Sequence, residues 1–319
     1  MIIPATETHI AISPLGKAEV LIEALPYIQR FSGKVFIVKF GGSLLENVEI
    51  SGMVLQDLAI LKLVGVQPIL VHGGGPAMTR LLDQLQMETR FVQGHRVTDE
   101  ETLNIAEMVM SGKINKTLVS RLQTYGVRAV GLSGQDGRTV MVKKRRMHGA
   151  DQEIDMGFEG EVTQINTHLL QTLMRESFIP VISPIGVDKE GQSYNMDGDV
   201  VAMALAKALH AEKLLLLTAA PGVLTNKDDP ESLISILSVA DAQRCLDQQV
   251  VMGGMAAKVK SCIDAVQNGV GSVHILDGRN PHALLLEIFT AQGMGTMVTQ
   301  ELTQELLAES VCNQEGHAG

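Results

Sequence analysis

The sequence has few of the residues that mark secreted and metal-binding proteins. It has no tryptophan and only three cysteines among 319 residues. Cys245, Cys262 and Cys312 are an odd number and lack the spacing of metal ligands, so a disulfide framework is not predicted. We therefore expect a reducing compartment, and specifically a cytoplasmic protein.

Long apolar runs and an excess of positive charge are also missing. No stretch of about 18 apolar residues is present, and the N-terminal "MIIPATETHIAISPLGK" lacks the pattern of a secretory signal. A net charge of −10 argues against nucleic acid as the main partner, because phosphate backbones are bound by basic surfaces. We expect neither a membrane nor a nucleic acid as partner. The one basic run, "KKRR" at 143–146, is interpreted as a solvated loop between strands rather than an anion-binding patch.

What the sequence does contain is an alternation of short apolar runs with segments of helical period. Runs such as "KVFIVKF", "VQPILVH", "RAVGLS" and "KLLLLT" alternate with segments such as "AMTRLLDQLQ" and "DVVAMALAKALH". Continuous apolar strands separated by amphipathic helices predict an α/β fold with a mainly parallel sheet covered on both faces. The shorter runs in "GRTVMVKKRRM" and "FEGEVTQIN" predict a small antiparallel addition to it.

Glycine-rich turns follow two of the predicted strands and precede one later helix. They read "VKFGGS" at 38–43, "VHGGGP" at 71–76 and "GGMAAKVK" at 253–260. Lys39 ends a buried strand, where an ammonium group is costly unless it meets an anion, and Lys258 lies about one helical turn past the last glycine pair. Lysines beside free helix-start amides suit a phosphate-bearing substrate. The alternative is that the glycines only give steric room in βα turns, and neither GxxxxGK[ST] nor a well-placed GxGxxG is present.

An acidic residue for such a site comes from "SYNMDGDVVAMALAKAL". Asp197 and Asp199 precede a predicted helix, so Asp199 is either a helix cap or a carboxylate that lies between the two lysines. Phosphoryl transfer depends on positioning and on positive charge around the transferred group. Two lysines oriented by one aspartate would supply both.

The motifs taken together resemble a known family. "KFGGS", "HGGGP", "GHRVTDEETL", "GFEGEV", "YNMDGD" and "GGMAAKV" occur in the order seen in the amino acid kinase family, and specifically in its acetylglutamate kinases, over roughly residues 25–299. The resemblance implies an open αβα sandwich and transfer of phosphate from ATP, with Mg²⁺, to the γ-carboxylate of N-acetyl-L-glutamate in arginine biosynthesis.

The resemblance also implies roles for individual residues. Lys39 and Lys258 correspond to the family's transition-state lysines, and Asp199 to the aspartate that organises them. The implied acetylglutamate site comprises Gly74, Gly75, Arg96 and Asn195. The implied nucleotide site comprises Gly41, Gly42, Thr218, Gly222, Gly254 and Met255. No residue is assigned as a metal ligand.

The chain is expected to have four parts. These are an N-terminal helical extension (1–32), an N-terminal lobe for acetylglutamate binding and dimerisation (33–183), a C-terminal ATP-binding lobe (184–299) and a polar tail (300–319). Leu21, Leu25, Ile28 and Phe31 fall near one face of the extension, which either packs on its own subunit or joins subunits. Such a helix resembles the arginine-sensitive kinases, which implies a dimer or hexamer, arginine as inhibitor and a PII-type signalling protein as a further partner.

An arginine site is expected near "SVHILDGRNPHALLLEIFTAQGMGTMV". His274 lies on a predicted strand, Glu287 in an apolar helix and Gly293 in the turn beyond it. Glu287 would pair with the guanidinium of arginine, and turn amides near Gly293 would take its carboxylate. An intramolecular ion pair of Glu287 is the alternative.

The chain departs from the family pattern at three positions. Asp197 and Gly198 stand where asparagine and alanine are usual, and Ala219 replaces an aspartate. An active enzyme remains the favoured interpretation. The alternatives are a kinase for a related acid, such as an aminoadipate derivative, or a catalytically weak regulatory homologue that senses arginine.

Overall fold

A computed structural model describes residues 13–92, 94–148, 153–290 and 293–302 of the chain. Most of the predicted C-terminal tail and Cys312 lie outside these residues, as does the beginning of the N-terminal extension. In the described part of the chain, no helix combines the length and apolar character that crossing a membrane requires.

An eight-stranded sheet with the order β12-β14-β13-β11-β1-β2-β8-β5 forms the centre of the molecule. Its neighbouring strands are parallel except for the antiparallel pair β13 and β14. The strands are β1 (Val35–Phe40), β2 (Gln67–His72), β3 (Phe91–Val92), β4 (His95–Arg96), β5 (Arg128–Ser133), β6 (Val140–His148), β7 (Glu153–Ile165), β8 (Phe178–Ser183), β9 (Ile185–Val187), β10 (Ser193–Asn195), β11 (Lys213–Thr218), β12 (Ile236–Ser238), β13 (Ser272–Asp277) and β14 (Thr296–Thr299).

Both faces of this sheet are buried, as the continuous apolar runs predict. Side chains alternate across a strand, so Ile37 of β1 packs in one core cluster. Phe36 and Val38 pack in another on the opposite face. All three are fully buried, and each such side chain stabilises the fold by about 1.5–3 kcal/mol. Two cores on the two faces of a mainly parallel sheet confirm the predicted αβα architecture.

Helices and helical turns cover the sheet. They are α1 (Pro14–Phe31), α2 (Gly42–Leu45), α3 (Val48–Leu63), α4 (Gly75–Gln84), α5 (Glu100–Ala106), a π-helix (Glu107–Ile114), α6 (Asn115–Thr124), a 3₁₀ turn (Asp136–Arg138), α7 (His168–Arg175), α8 (Gly198–Ala208), a second 3₁₀ turn (Pro230–Ser232), α9 (Val239–Asp247), α10 (Gly253–Gln267) and α11 (Ala283–Phe289).

The predicted antiparallel addition is confirmed, but its basic run is not a loop. Strands β6 and β7 pair antiparallel and close a small four-stranded barrel with β9 and β10. The run 143–146 lies inside β6, where Lys143 pairs with Glu161 and Lys144 pairs with Asp155. The interpretation as a loop was wrong because alternating acidic residues on β7 neutralise the basic side chains and allow them to remain in a strand.

The N-terminal extension forms α1, but its apolar residues do not share one environment. Ser13 caps the helix by accepting a hydrogen bond from Gly16 N at 3.0 Å. Phe31 at the other end is buried, whereas Leu21 and Leu25 are 70% and 47% exposed. Only the C-terminal end of α1 therefore belongs to the core of this subunit.

Candidate functional site

A carboxylate lies between two lysine side chains where three elements meet. Lys39 is near the end of β1, Asp199 is in the first turn of α8 and Lys258 is in α10. Lys39 Nζ lies 2.8 Å from Asp199 Oδ1, and Lys258 Nζ lies 2.6 Å from Asp199 Oδ2. Residues more than 200 positions apart in sequence thus form one cluster that carries a net positive charge.

The local structure of α8 explains why Asp199 is available for this contact. Asp197, not Asp199, is the N-cap, because its side chain accepts a hydrogen bond from Asp199 N at 2.6 Å. The alternative reading of Asp199 as a cap is therefore wrong. One of the two unusual residues in this motif, Asp197, holds the first turn of the helix from which Asp199 reaches the lysines.

The two ammonium groups determine the charge of Asp199. Burial on its own would raise the pKa of this carboxyl, but the attraction of Lys39 and Lys258 outweighs burial and lowers it below the usual value. Asp199 is therefore ionised at neutral pH and holds both lysines in place.

The glycine turns after β1 and β2 pack closely against each other. A Cβ atom on Gly42 would lie only 3.0 Å from Pro76 Cδ and 3.1 Å from Gly74 N. A side chain at residue 42 would therefore push the two turns apart. Gly75, in contrast, has open space around it and begins α4, whose first amides face the same region.

A neutral histidine supports the second turn from behind. His72 Nδ1 lies 2.9 Å from Gly73 O, and Asn115 Nδ2 lies 3.2 Å from His72 Nε2. Burial lowers the pKa of His72 from 6.5 to about 4. The uncharged ring therefore donates from Nδ1 to the Gly73 carbonyl and accepts from Asn115 at Nε2.

A cavity of about 290 Å³ begins beside these turns and reaches the small barrel. Arg96 and Asn195 line it, together with Gly74 and Gly75. Arg96 NH2 donates to Thr79 Oγ1 at 2.6 Å, and its guanidinium stacks over a phenyl ring 4.6 Å away. The other terminal nitrogen, NH1, is buried and has no hydrogen-bond partner within the part of the chain that the structure describes. All four predicted acetylglutamate residues therefore lie around one cavity.

Glu159 also lines this cavity, and the sequence reasoning missed it. It is 3% exposed, and its Oε1 lies 2.7 Å from His95 Nδ1 and 3.2 Å from Arg145 NH1. Burial raises the pKa of Glu159 despite its contacts with His95 and Arg145. The available signal was the charged residue inside "GFEGEV", on a strand of the predicted antiparallel addition.

The residues predicted to bind the nucleotide differ from one another in packing and exposure. Thr218 ends β11, beside β1, and Gly254 lies in the first turn of α10 with open space around it. Gly222 has φ +149°, and a Cβ there would lie 2.6 Å from Thr296 Oγ1, so both the backbone conformation and the packing favour glycine at this position. Met255 packs against the core, and Ala219 is exposed just after β11.

The predicted effector residues form a compact internal cluster. His274 Nδ1 lies 2.5 Å from Glu287 Oε1, and Lys213 Nζ lies 3.0 Å from His274 Nε2. Glu287 Oε2 accepts hydrogen bonds from the amides of Met294 at 2.6 Å and Gly295 at 3.2 Å. The turn amides expected to take a ligand carboxylate are thus bonded to Glu287 itself, and Glu287 is satisfied within the subunit by hydrogen bonds from these amides and from His274.

The fold and the site define a class of protein. It is an αβα protein with a glycine-lined cleft beside a pair of lysines at the carboxyl ends of parallel strands, where such folds bind their ligands. The sequence model of the amino acid kinase family matches residues 34–277. The chain belongs to this family, which confirms the resemblance.

Known relatives narrow the comparison. Acetylglutamate kinase from Moorella thermoacetica is 47% identical over 291 residues, which are 90% of this chain and 98% of that protein. A structure of N-acetylglutamate synthase from Neisseria gonorrhoeae, complexed with coenzyme A and N-acetyl-glutamate, has 26% identity and a TM-score of 0.78, and covers 89% of this chain and 63% of that one. The same synthase with coenzyme A and L-arginine has 25% identity and a TM-score of 0.74, and covers 89% and 65%. The chain therefore spans less than two thirds of the synthase but nearly all of the kinase.

Proposed function

We propose that this protein is an ATP-dependent acetylglutamate 5-kinase, which phosphorylates the γ-carboxylate of N-acetyl-L-glutamate in arginine biosynthesis. The observation that carries the proposal is the Lys39–Asp199–Lys258 cluster at one end of a cavity that has Arg96 at its side. Near-full-length relatives named acetylglutamate kinase support the choice of substrate.

The two lysines act on the group being transferred. Charge builds on the oxygens of the phosphoryl group and on the attacking and leaving oxygens, and fixed ammonium groups stabilise it without reorganisation. Asp199 contributes by orientation, because each of its oxygens lies within ion-pair distance of one lysine. Free amides at the starts of α4 and α10 assist in binding anionic groups.

Mg²⁺ is proposed to enter the site bound to the phosphates of ATP. No group of three or more His, Cys, Asp or Glu side chains suited to a metal occurs within the described ranges. The oxygens of Asp199 are already paired with lysines. The ion would supply charge neutralisation on the phosphates, while the protein contributes its lysines and amides.

Arg96 is proposed to bind the α-carboxylate of the substrate. Its NH1 group is buried and has no partner in the described ranges, and a carboxylate in the cavity would satisfy that donor. Asn195 lies beside it on β10 and offers both a donor and an acceptor.

A coupled assay of ATP consumption with acetylglutamate, glutamate, aspartate and aminoadipate tests the proposal. We expect acetylglutamate to be preferred at least tenfold in kcat/KM. Preference for aminoadipate or a derivative would favour the kinase for a related acid. Arginine binding without measurable turnover would favour the regulatory homologue.

Arg96→Lys tests the binding mode. It keeps the charge but removes the planar fork, so KM for acetylglutamate should rise about tenfold or more while KM for ATP stays within twofold. Arg90→Lys, at an exposed position, is the control. A rise in KM for ATP alone would place Arg96 at the nucleotide instead.

Arginine is proposed as a feedback inhibitor that binds near Glu287, His274 and Gly293. These residues line a cavity beside the C-terminal end of α1, together with Phe31 and Lys213. The related synthase has been solved with L-arginine. To bind as proposed, arginine would compete with the internal partners of Glu287 and thereby favour one arrangement of α1 over another.

Inhibition assays of matched variants test this regulation. Glu287→Gln should abolish inhibition by arginine, whereas Glu212→Gln, at the rim of the same cavity, should leave it within threefold. Calorimetry that detects no arginine binding to the intact protein would refute the proposal.

The exposed apolar residues of α1 support a homo-oligomer, a dimer or a hexamer, in which this helix contacts a neighbouring subunit. Deletion of residues 1–30 should give a smaller assembly that no longer responds to arginine. A PII-type signalling protein as a further partner and a cytoplasmic location complete the proposal.

A further inference from the structure

Two buried polar atoms of opposite character belong to residues that line the proposed substrate cavity, and neither has a hydrogen-bond partner among the described residues. Arg96 NH1 is a donor, and Glu159 Oε2 is an acceptor. A buried polar atom that stays unpaired costs about 1–3 kcal/mol, and more when the group is charged. The two atoms therefore indicate complementary groups on the molecule that fills the cavity.

The carboxylate of Glu159 is held firmly in position. The backbone before it is fixed because Phe158 N donates to Thr98 O at 2.6 Å and Thr98 N donates to Met156 O at 3.1 Å. On the other side, Glu159 lies next to Asn195 in the parallel pair of β7 and β10. Because Oε1 is already bonded to His95 and Arg145, Oε2 is the oxygen left for a ligand.

An α-amino-acid derivative carries the two complementary groups on one carbon atom. Its carboxylate accepts hydrogen bonds from a guanidinium, and its nitrogen carries hydrogen that a carboxylate oxygen can accept. Arg96 and Glu159 line the same cavity, so the proposal requires that they contact these two substituents of one bound ligand.

We propose that Glu159 is a specificity-determining residue whose free oxygen accepts a hydrogen bond from an N–H group on the α-nitrogen of the acceptor substrate. This inference rests on the proposed kinase function. It adds the residue that recognises the α-nitrogen of the substrate. The N–H donor is either the amide of an acylated nitrogen or a free ammonium group. The experiment below distinguishes these two donors.

The test compares N-acetyl-L-glutamate with 2-acetoxyglutarate, in which an ester oxygen replaces the N–H. In the wild-type enzyme, two acceptor oxygens would face each other, so kcat/KM for the ester should be at least about 100-fold lower. Glu159→Val removes the acceptor and should reduce this ratio to less than tenfold. Glu159→Gln keeps the shape of the side chain and should give an intermediate ratio.

Glu161→Val is the matched control, because Glu161 is on the same strand but is exposed and pairs with Lys143. It should retain the wild-type ratio, and circular dichroism should show that each variant folds. L-glutamate is the third substrate. If the wild type uses it better than acetylglutamate and Glu159→Val removes that preference, the donor is a free ammonium. If the wild type prefers acetylglutamate and Glu159→Val loses the discrimination against the ester, the donor is the amide.

Calorimetry separates failure of this inference from failure of the proposed function. If the wild-type protein binds acetylglutamate far better than the ester but transfers no phosphate, the function is wrong and the role of Glu159 stands. Equal binding of the two ligands, binding of neither, or the same discrimination in Glu159→Val, would overturn the inference whatever the rate of transfer.

Discussion

Two clusters in this protein place a carboxylate beside cationic side chains. They lie at opposite ends of the strands in the same sheet. Lys39 lies near the carboxyl end of β1, whereas Lys213 is the first residue of β11. In the first cluster, two lysines share Asp199, whose side chain is 28% exposed. In the second, Lys213 and His274 meet Glu287, whose side chain is 5% exposed.

The difference lies in what remains available to a ligand. Two ammonium groups and one carboxylate leave a net positive charge beside an open cavity. Lys213 and Glu287 instead balance each other, and burial together with Lys213 lowers the pKa of His274, so its ring is neutral at pH 7. Similar residue types thus give a cluster with net positive charge beside a cavity at one end of the strands and an internally bonded cluster at the other.

The largest expected effect comes from breaking the first cluster. Lys39→Ala and Lys258→Ala should each lower kcat about 10²–10³-fold, because each removes charge that acts on the transition state. Steady-state kinetics should show the loss mainly in kcat. Lys34→Ala removes an exposed lysine that pairs with Glu212 and should stay within twofold of the wild type. Near-normal kcat in either test variant would mean that its lysine does not reach the phosphoryl group.

Breaking the second cluster should cost stability. Glu287→Gln removes the charge that faces His274 and Lys213, so the free energy of unfolding should fall by about 3 kcal/mol. Urea denaturation measures it, with Glu212→Gln as the control for a more exposed ion pair. The pKa of Glu287 is lowered because His274 and the Met294 amide outweigh burial. The stabilisation is therefore present above the unfolded-state pKa and is lost as the pH falls. Unchanged stability at pH 7 would contradict the internal role of this cluster.

The pH dependence of stability tests the comparison further, through the buried His72 next to the glycine turn after β2. His72 in the folded protein titrates at about 4 instead of 6.5, so between these values the unfolded chain binds a proton that the folded chain does not. Stability should therefore fall as the pH falls, by about 2 kcal/mol at pH 5. His72→Gln should lack this component, whereas His168→Gln, at an exposed position, should keep it. Equal losses between pH 7 and 5 in all three proteins would contradict the neutral His72.

The smallest effect is expected at the strand end that has lost a carboxylate. Ala219→Asp should change KM for ATP or the Mg²⁺ dependence by a few-fold, since an exposed charge near the phosphates of the nucleotide is screened by water. Ala240→Asp adds the same charge at another exposed position and serves as control. Superimposable Mg²⁺ titrations of the wild type and Ala219→Asp would show that a charge at residue 219 does not affect the Mg²⁺ dependence.

The sequence by itself determined the layered fold and the family. Buried strands such as β1 and β11 are unbroken apolar runs, and unbroken runs separated by amphipathic helices have few alternatives to a covered parallel sheet. The order of the glycine motifs was enough to identify the amino acid kinase family. Short elements such as β3 and β12 escaped prediction because two or three residues carry no periodicity.

Only the tertiary structure decided how side chains far apart in sequence meet. That Asp199 contacts both lysines while Asp197 caps the helix depends on where β1, α8 and α10 converge. The strand pattern gave no sign that Glu159 is special. Its carboxylate is buried with only one oxygen hydrogen-bonded because β7 passes the cavity next to Asn195. Local pattern specifies which residues are buried, since that depends on periodicity. Electrostatics at a site depends on distances of a few ångströms between separate elements, and these arise only when the elements pack.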